Sequence, residues 1–403
     1  MPFSSSSPAG RFLIAVALVS SSSAAAAQSQ PPRPPAVNAA PGVGKIATAS
    51  LAQGWSALRD GRTAEAVRIG TALLKAPWSS HDAMGLCIAA ALQQGGANAG
   101  LDIYERWVAS HAEDPYLLRV VAASALGELA VSTEPRLRVA ALAALAAEGD
   151  GAARQALADA TTAEGRQESD EALARLGDAA AIARLQAYVA SGGARDKSQA
   201  IRALAAAGSG NAASIAAALN DPAPPSRIGA ANALAELGAT AQIPALRDHL
   251  NDSEPAVRFM VSAALARLGD PQSTVTLDSL ATHPIGDMRL FAVAAQADRN
   301  ADGAWIGIVE PLLQDPDPLL RVRAAELLIR RAGDPASGKA ALLAALSDAN
   351  PAVRSEAAAL LPELVDRGGP DLALFRRLLR DPLPETRIAA ARALLRTTRE
   401  KAR

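Results

Sequence analysis

The sequence predicts an all-α fold, a right-handed α-solenoid (superhelix) of antiparallel helix hairpins. Three observations predict it. First, a basic residue recurs at Arg138, Arg166, Lys197, Arg227, Arg258, Arg289, Arg321, Arg354 and Arg387, with spacings between 28 and 33 residues. A near-constant period of that size marks one supersecondary unit stacked on copies of itself. Second, half of the 403 residues are hydrophobic but only 3% are aromatic. The apolar content is mostly Ala and Leu, which are strong helix formers and small enough to let helices pack layer on layer. Third, the periods share one order of signals: a turn, an amphipathic stripe and, in five of them, a glycine stop.

The elements follow in chain order. Residues 12–19, FLIAVALV, are an apolar run after Arg11, followed by SSSSAAAA. An h-region of this length ending in small residues reads as a secretory signal. Ala25 and Ala27 fit the −3 and −1 positions, so residues 1–27 are expected to be removed on export to the periplasm or beyond, with an uncleaved anchor as the alternative. Residues 28–45 are rich in Pro and Ala and read as a spacer. The one cysteine, Cys87, excludes an intrachain disulfide and sits in the apolar run GLCIAAAL, where it reads as a buried small hydrophobe.

Residues 46–120 predict helical hairpins of another kind. LRDGRTAEAVRIGTALLKAPW (58–78) places a turn between two helices, and LQQGGANAGLDIYERWVASHAEDP (92–115) does so again about 34 residues later. The G-R-x-x-E-A string before an apolar run resembles tetratricopeptide repeats, with Ala66 and Gly100 at matching small-residue positions. Trp55, Trp78, Tyr104, Trp107 and Tyr116 gather here. They read either as hairpin core or as an aromatic-lined, partner-binding groove.

Residues 121–403 hold about nine repeats. In the opening turn, Leu-x-Asp recurs as Leu219/Asp221, Leu250/Asp252, Leu313/Asp315, Leu346/Asp348 and Leu379/Asp381, with a Pro shortly after to start the next helix. Small or apolar residues stand three, four and seven positions after the basic residue, as in Val261, Ser262 and Leu265, which is one helical stripe. Gly149, Gly177, Gly208, Gly238 and Gly269 each follow by eleven residues, where a left-handed glycine ends a helix. One such hairpin cannot bury its own apolar faces, and stacked hairpins can.

This D-x-x-P-x-V-R-x-x-A-A-x-A-L-x-x-L-G grammar resembles HEAT repeats, in particular the short bacterial kind shared with phycobilisome lyases. The resemblance implies a ladder of Asp and Arg side chains between neighbouring repeats. Its rungs would be Asp221, Asp252, Asp315, Asp348 and Asp381 with Arg227, Arg258, Arg289, Arg321, Arg354 and Arg387. His283 replaces Asp before Arg289, Ser191 and Lys197 replace both members in the third repeat, and the first three repeats lack the Asp. Removing Arg258 is expected to cost about 3–5 kcal/mol if its pair is buried.

Motifs for chemistry are sparse. The four histidines form no H-E-x-x-H, and neither G-x-S-x-G nor a P-loop occurs. Deoxyhypusine hydroxylase is similar in its repeats and holds iron through His-Glu pairs, but no His-Glu dipeptide occurs in this chain. Residues 297–310 contain DRNADG but lack the twelfth-position ligand of a calcium loop. No catalytic, cofactor or metal residue is therefore assigned. Net charge is −1, which gives no overall attraction to nucleic acid. A local excess of nine Lys/Arg over four Asp/Glu from Asp371 to Arg403 reads as a solvated end cap or as a surface for membrane or cell-wall polymer. Residues 163–178, AEGRQESDEALARLGD, read as the exposed face of a short repeat. The expected role is a non-enzymatic exported scaffold that binds other proteins. The alternatives are polymer or anionic-lipid binding through the basic end and a lyase-type enzyme.

Overall fold

A computed structural model describes residues 43–75, 81–160, 163–208, 211–273, 275–299, 303–332, 336–368 and 371–400. The export signal, most of the spacer and Trp78 lie outside them. Among the described residues every regular element is a helix and none is a strand. No helix there is long and apolar enough to cross a membrane. The chain divides into two compact modules. Arg154–Ala357 makes a central module, and the chain up to Ala153 joins Ala358–Arg403 in an end module.

The central module is an α-solenoid of stacked hairpins, several with a short first helix and a longer second one. Ile243–Asp248 leads to Pro255–Leu268, Leu277–Ala281 to Gly286–Arg299, and Ile306–Val309, extended by a 3₁₀ turn Glu310–Gln314, to Pro318–Arg331. Pro224, Pro255, Pro318 and Pro351 each open a second helix, where their missing N–H costs no hydrogen bond. Several second helices stop at left-handed glycines, with φ of 77° at Gly177 and 62° at Gly238. An added Cβ would meet nothing within 4 Å at either one, so backbone conformation alone demands glycine there. The stop is completed by backbone bonds. Gly177 N–H reaches the Ala174 carbonyl at 2.9 Å and Asp178 N–H reaches that of Leu173 at 3.0 Å, which satisfies carbonyls the helix end would leave open.

The predicted stripe is the core. Ala230, Ala231, Leu234, Val257, Val261, Leu265 and Leu246 join one buried cluster, and Trp305 seats in the next with Val309 and Leu312. Residues 163–178 depart from expectation. The helix Ala163–Arg175 buries Gln167, Ser169 and Asp170 instead of showing them to solvent. Ser169 and Asp170 occupy stripe positions that elsewhere hold small or apolar residues and no charge, and Asp170 is tolerated because Arg184 binds it through both carboxylate oxygens at 2.6–3.0 Å. A buried charge survives only with such a partner.

The end module starts with Val43–Arg59 and Thr63–Leu74, joined at Gly61 with φ 75°. The helical segment His81–Val108 is broken at Gly96, with φ 71° and ψ −163°. Beyond the break Ala97 N–H is capped by Glu128 at 2.6 Å. Ala66 and Gly100 are both buried. A Cβ at Gly100 would stand 2.4 Å from Leu92, so the arms on either side of the break approach too closely for a larger residue. Pro115–Leu129 and Pro135–Ala147 follow. The last helix, Pro384–Glu400, packs against both of them. The C-terminal repeat is thus a docked element of this module, and its reading as a solvated cap is corrected.

Candidate functional site

The repeated Asp and Arg build a two-part device. Each Asp folds its own turn, because its Oδ1 accepts the backbone N–H two residues on. The distances are 2.8 Å for Asp221 from Ala223, 2.9 Å for Asp252 from Glu254, 2.9 Å for Asp315 from Asp317, 2.8 Å for Asp348 from Asn350 and 2.8 Å for Asp381 from Leu383. The Arg six positions on donates Nη1 to the carbonyl of the Asp position. This occurs in Arg227 (2.8 Å), Arg258 (2.7 Å), Arg321 (2.8 Å) and Arg354 (2.8 Å), and in Arg289 toward His283 (3.0 Å). Arg138 does the same toward Ser132, 3.0 Å away, although no Asp stands there.

The rest of the guanidinium reaches the next repeat. Arg227 grips Asp252 with Nε at 2.8 Å and Nη2 at 2.7 Å. Arg289 Nη2 reaches Asp315 at 3.2 Å and Arg321 Nη2 stands 3.9 Å from Asp348. One rung earlier, Lys197 Nζ binds Asp221. A planar fork with several donors can cap its own turn and bind a neighbour's carboxylate at once, which is why Arg holds most rungs. Arg227 and Asp252 are the enclosed pair, with side-chain exposures of 11% and 7%. The Arg227 fork, helped by the Glu254 N–H, holds the Asp252 carboxyl down at about 2. Burial works against Asp221, yet Lys197 and the Ala223 N–H keep its carboxyl below the usual range.

Arg258 corrects the expectation placed on it. It is exposed, its guanidinium donates to the carbonyls of Asp252 and Ser253, and the turn that should offer it Asp offers His283. That ring substitutes in the turn, taking the Ile285 N–H on Nδ1 at 3.2 Å, but brings no fixed negative charge. Arg387 lies half-buried on Pro384–Glu400. Two strong pairs were not visible in the spacing: Arg184 with Asp170, and Arg247 with Asp270 at 2.7 and 2.9 Å. Both carboxylates have no solvent exposure. Their signal was an Asp inside an apolar stripe and an Asp directly after the left-handed Gly269.

The aromatic candidates separate. Tyr104 is fully buried, so it cannot meet a partner. Its hydroxyl donates to Glu113 at 2.8 Å and accepts the Asp114 N–H at 2.8 Å, and burial beside that carboxylate pushes the phenol well up. Trp55 is half-buried against the cluster of Ala57, Leu58, Ala66 and Leu86. Trp107 is half-buried and stacks on His111, with ring centroids 3.5 Å apart and planes within 5°. Tyr116 is half exposed and meets the edge of His81 at 6.4 Å. His81 Nε2 lies 3.1 Å from Asp114 and Nδ1 3.5 Å from Asp82. Bonding to Asp114 and then Asp82 raises the imidazole to about 9, so it is a cation at neutral pH. Asp114 also caps the helix that carries Tyr116, accepting its N–H at 2.8 Å. The result is an exposed Tyr beside a charged His, both fixed by one carboxylate. Among the described residues no group of three or more His, Cys, Asp or Glu is placed to hold a metal ion. Cys87 is buried, and burial raises its thiol.

Residues 211–297 match the family model described as HEAT repeats. Among solved structures the chain is similar to human deoxyhypusine hydroxylase in complex with glycerol, at 20% identity over 66% of this chain and 97% of that one, with a TM-score of 0.34. A search of curated proteins finds no match.

Proposed function

We propose that this chain, a HEAT-repeat protein by its match over residues 211–297, is an exported scaffold that binds other proteins and catalyses no reaction. One observation carries the reading. The polar side chains set at constant positions are consumed by the architecture: the Asp residues fold turns and the Arg residues cap those turns and tie repeats together. What repeats is scaffold, and what remains for recognition is the residues that vary between repeats. Among these, Tyr116 in the end module offers a half-exposed aromatic face, suited to a partner's apolar or cationic side chains. Export rests on the signal-like residues 1–27. The lipid alternative gains nothing from Arg376 and Arg380, whose charges are taken up by Glu113 at 3.4 Å and by Asp102 and Glu105.

The test is capture of the tagged mature chain from the cell envelope after mild cross-linking, repeated with Tyr116→Ala. A few near-stoichiometric proteins, reduced at least about fivefold by the substitution, support the reading. Capture of none, from a folded and exported chain, overturns it.

A further inference from the structure

Stacked repeats leave one unpaired face at each end of an array, and such faces are ordinarily covered by polar capping repeats. In the end module the last helix covers a helix of the N-terminal half. Pro384–Glu400 buries Ile388, Ala391, Leu394 and Leu395 and packs on Pro115–Leu129, whose Leu117, Leu118, Val121 and Ala122 are buried. Arg119 hydrogen-bonds the Leu395 carbonyl across this contact. The margin is charged and of opposite sign on its two sides. Arg380 binds Asp102 at 2.5 Å and Glu105 at 3.0 Å, and Arg376 stands 3.4 Å from Glu113.

We propose that this contact is exchangeable between copies: the C-terminal repeat of one chain docks on the Pro115–Leu129 face of a second copy in place of its own. The surfaces lie some 275 residues apart in sequence, with the central module between them. Closure within a chain and exchange between two chains make the same contacts and differ in effective concentration. Two basic ends repel, as do two acidic faces, so the contact pairs unlike ends only. A reciprocal dimer satisfies both. This inference is independent of which other proteins the scaffold binds.

Charge swapping tests it with full-length chains. Arg380→Glu alone sets like charges across the contact within a chain, and so does Asp102→Lys with Glu105→Lys. Mixed one to one, the two variants restore opposite charges only between chains. The expected result, by sedimentation at low salt with differently labelled variants, is mixed dimer enriched about tenfold over either variant alone. A chain carrying all three substitutions should return to the wild-type distribution, and 1 M salt should remove the enrichment. Monomer throughout, with Pro384–Glu400 as protected from amide exchange as in the wild type, would overturn the proposal. Dimer in equal amount in every sample would overturn it too, because the association would then ignore these ends.

Discussion

The central module and the end module are both all-helical, yet they are tied together at different ranges. In the central module the ties are short. Arg227 reaches Asp252 and Arg289 reaches Asp315, 25 and 26 residues away. In the end module the ties that join its two parts span the chain, from Arg380 to Asp102 and Glu105, 278 and 275 residues away. A contact repeated at the period of the sequence needs only nearest neighbours and writes itself into every repeat. A contact between the ends is made once and leaves no period to find. The comparison teaches that regularity reports the scaffold, while the singular features of this molecule sit where regularity stops.

The largest effect should come from breaking the best rung. Arg227→Ala leaves Asp252 enclosed without its main partner and takes donors from two turn carbonyls. It is expected to destabilise the central module by about 3 kcal/mol, read as lost amide protection across residues 219–265, because a repeat array need not melt as one unit. Arg258→Ala, at the equivalent position one repeat on, should cost no more than about 1 kcal/mol, because an exposed Arg bonded to turn carbonyls loses little. Equal losses would erase the distinction between the two rungs. The acid limb sharpens it. Asp252 has its folded pKa depressed to about 2 from the usual 3.8, so its contribution is present above about pH 4 and is lost as pH falls through 4 toward 2. Arg227→Ala should flatten that limb.

The next effect runs the other way. His283→Asp would place a carboxylate in the one turn of this stretch that lacks it, opposite Arg258. The turn would keep its acceptor for Ile285 N–H. A gain of a few tenths of a kcal/mol, no more than about 1, is expected from an exposed rung, measured as a shift in urea midpoint at constant slope. In combination with Arg258→Ala the gain should vanish. A gain that persists without Arg258 would mean the turn, not the rung, had been repaired.

Much of this was legible in the sequence. The turn, the proline start, the glycine stop and the buried stripe each have a local cause, and each recurs often enough to be read by alignment of the chain on itself. The Asp–Arg register was legible for the same reason, but burial was not. Arg227 and Arg258 share a grammar, and only the neighbouring turn, with Asp252 in one case and His283 in the other, makes one rung enclosed and the other open. Asp170 shows the opposite failure. An acidic string normally faces water, and here a single Arg184 from the following helix lets it enter the core. Tyr104 could not be told from Tyr116 by type or spacing, since the difference lies in Glu113 and Asp114 closing on one hydroxyl.

The smallest expected effect is an alkaline limb in the end module that the central rungs do not share. The central rungs at Asp221 and Asp252 rest on depressed carboxylates and weaken in acid. The His81 contacts in the end module rest on a raised imidazole, from the usual 6.5 to about 9. Stabilisation by a raised base is fully present below pH 6.5 and is lost as pH rises through 9. The side chain is about half exposed, so the loss should be slight and local. It would appear as increased amide exchange at Tyr116 and Leu117, whose N–H groups Asp114 caps, between pH 7 and 9 after correction for intrinsic rates. His81→Gln should remove this pH dependence while leaving the acid limb of the central module in place. If both limbs changed together, the two modules would share one stability, and the distinction drawn between nearest-neighbour rungs and end-to-end ties would fail.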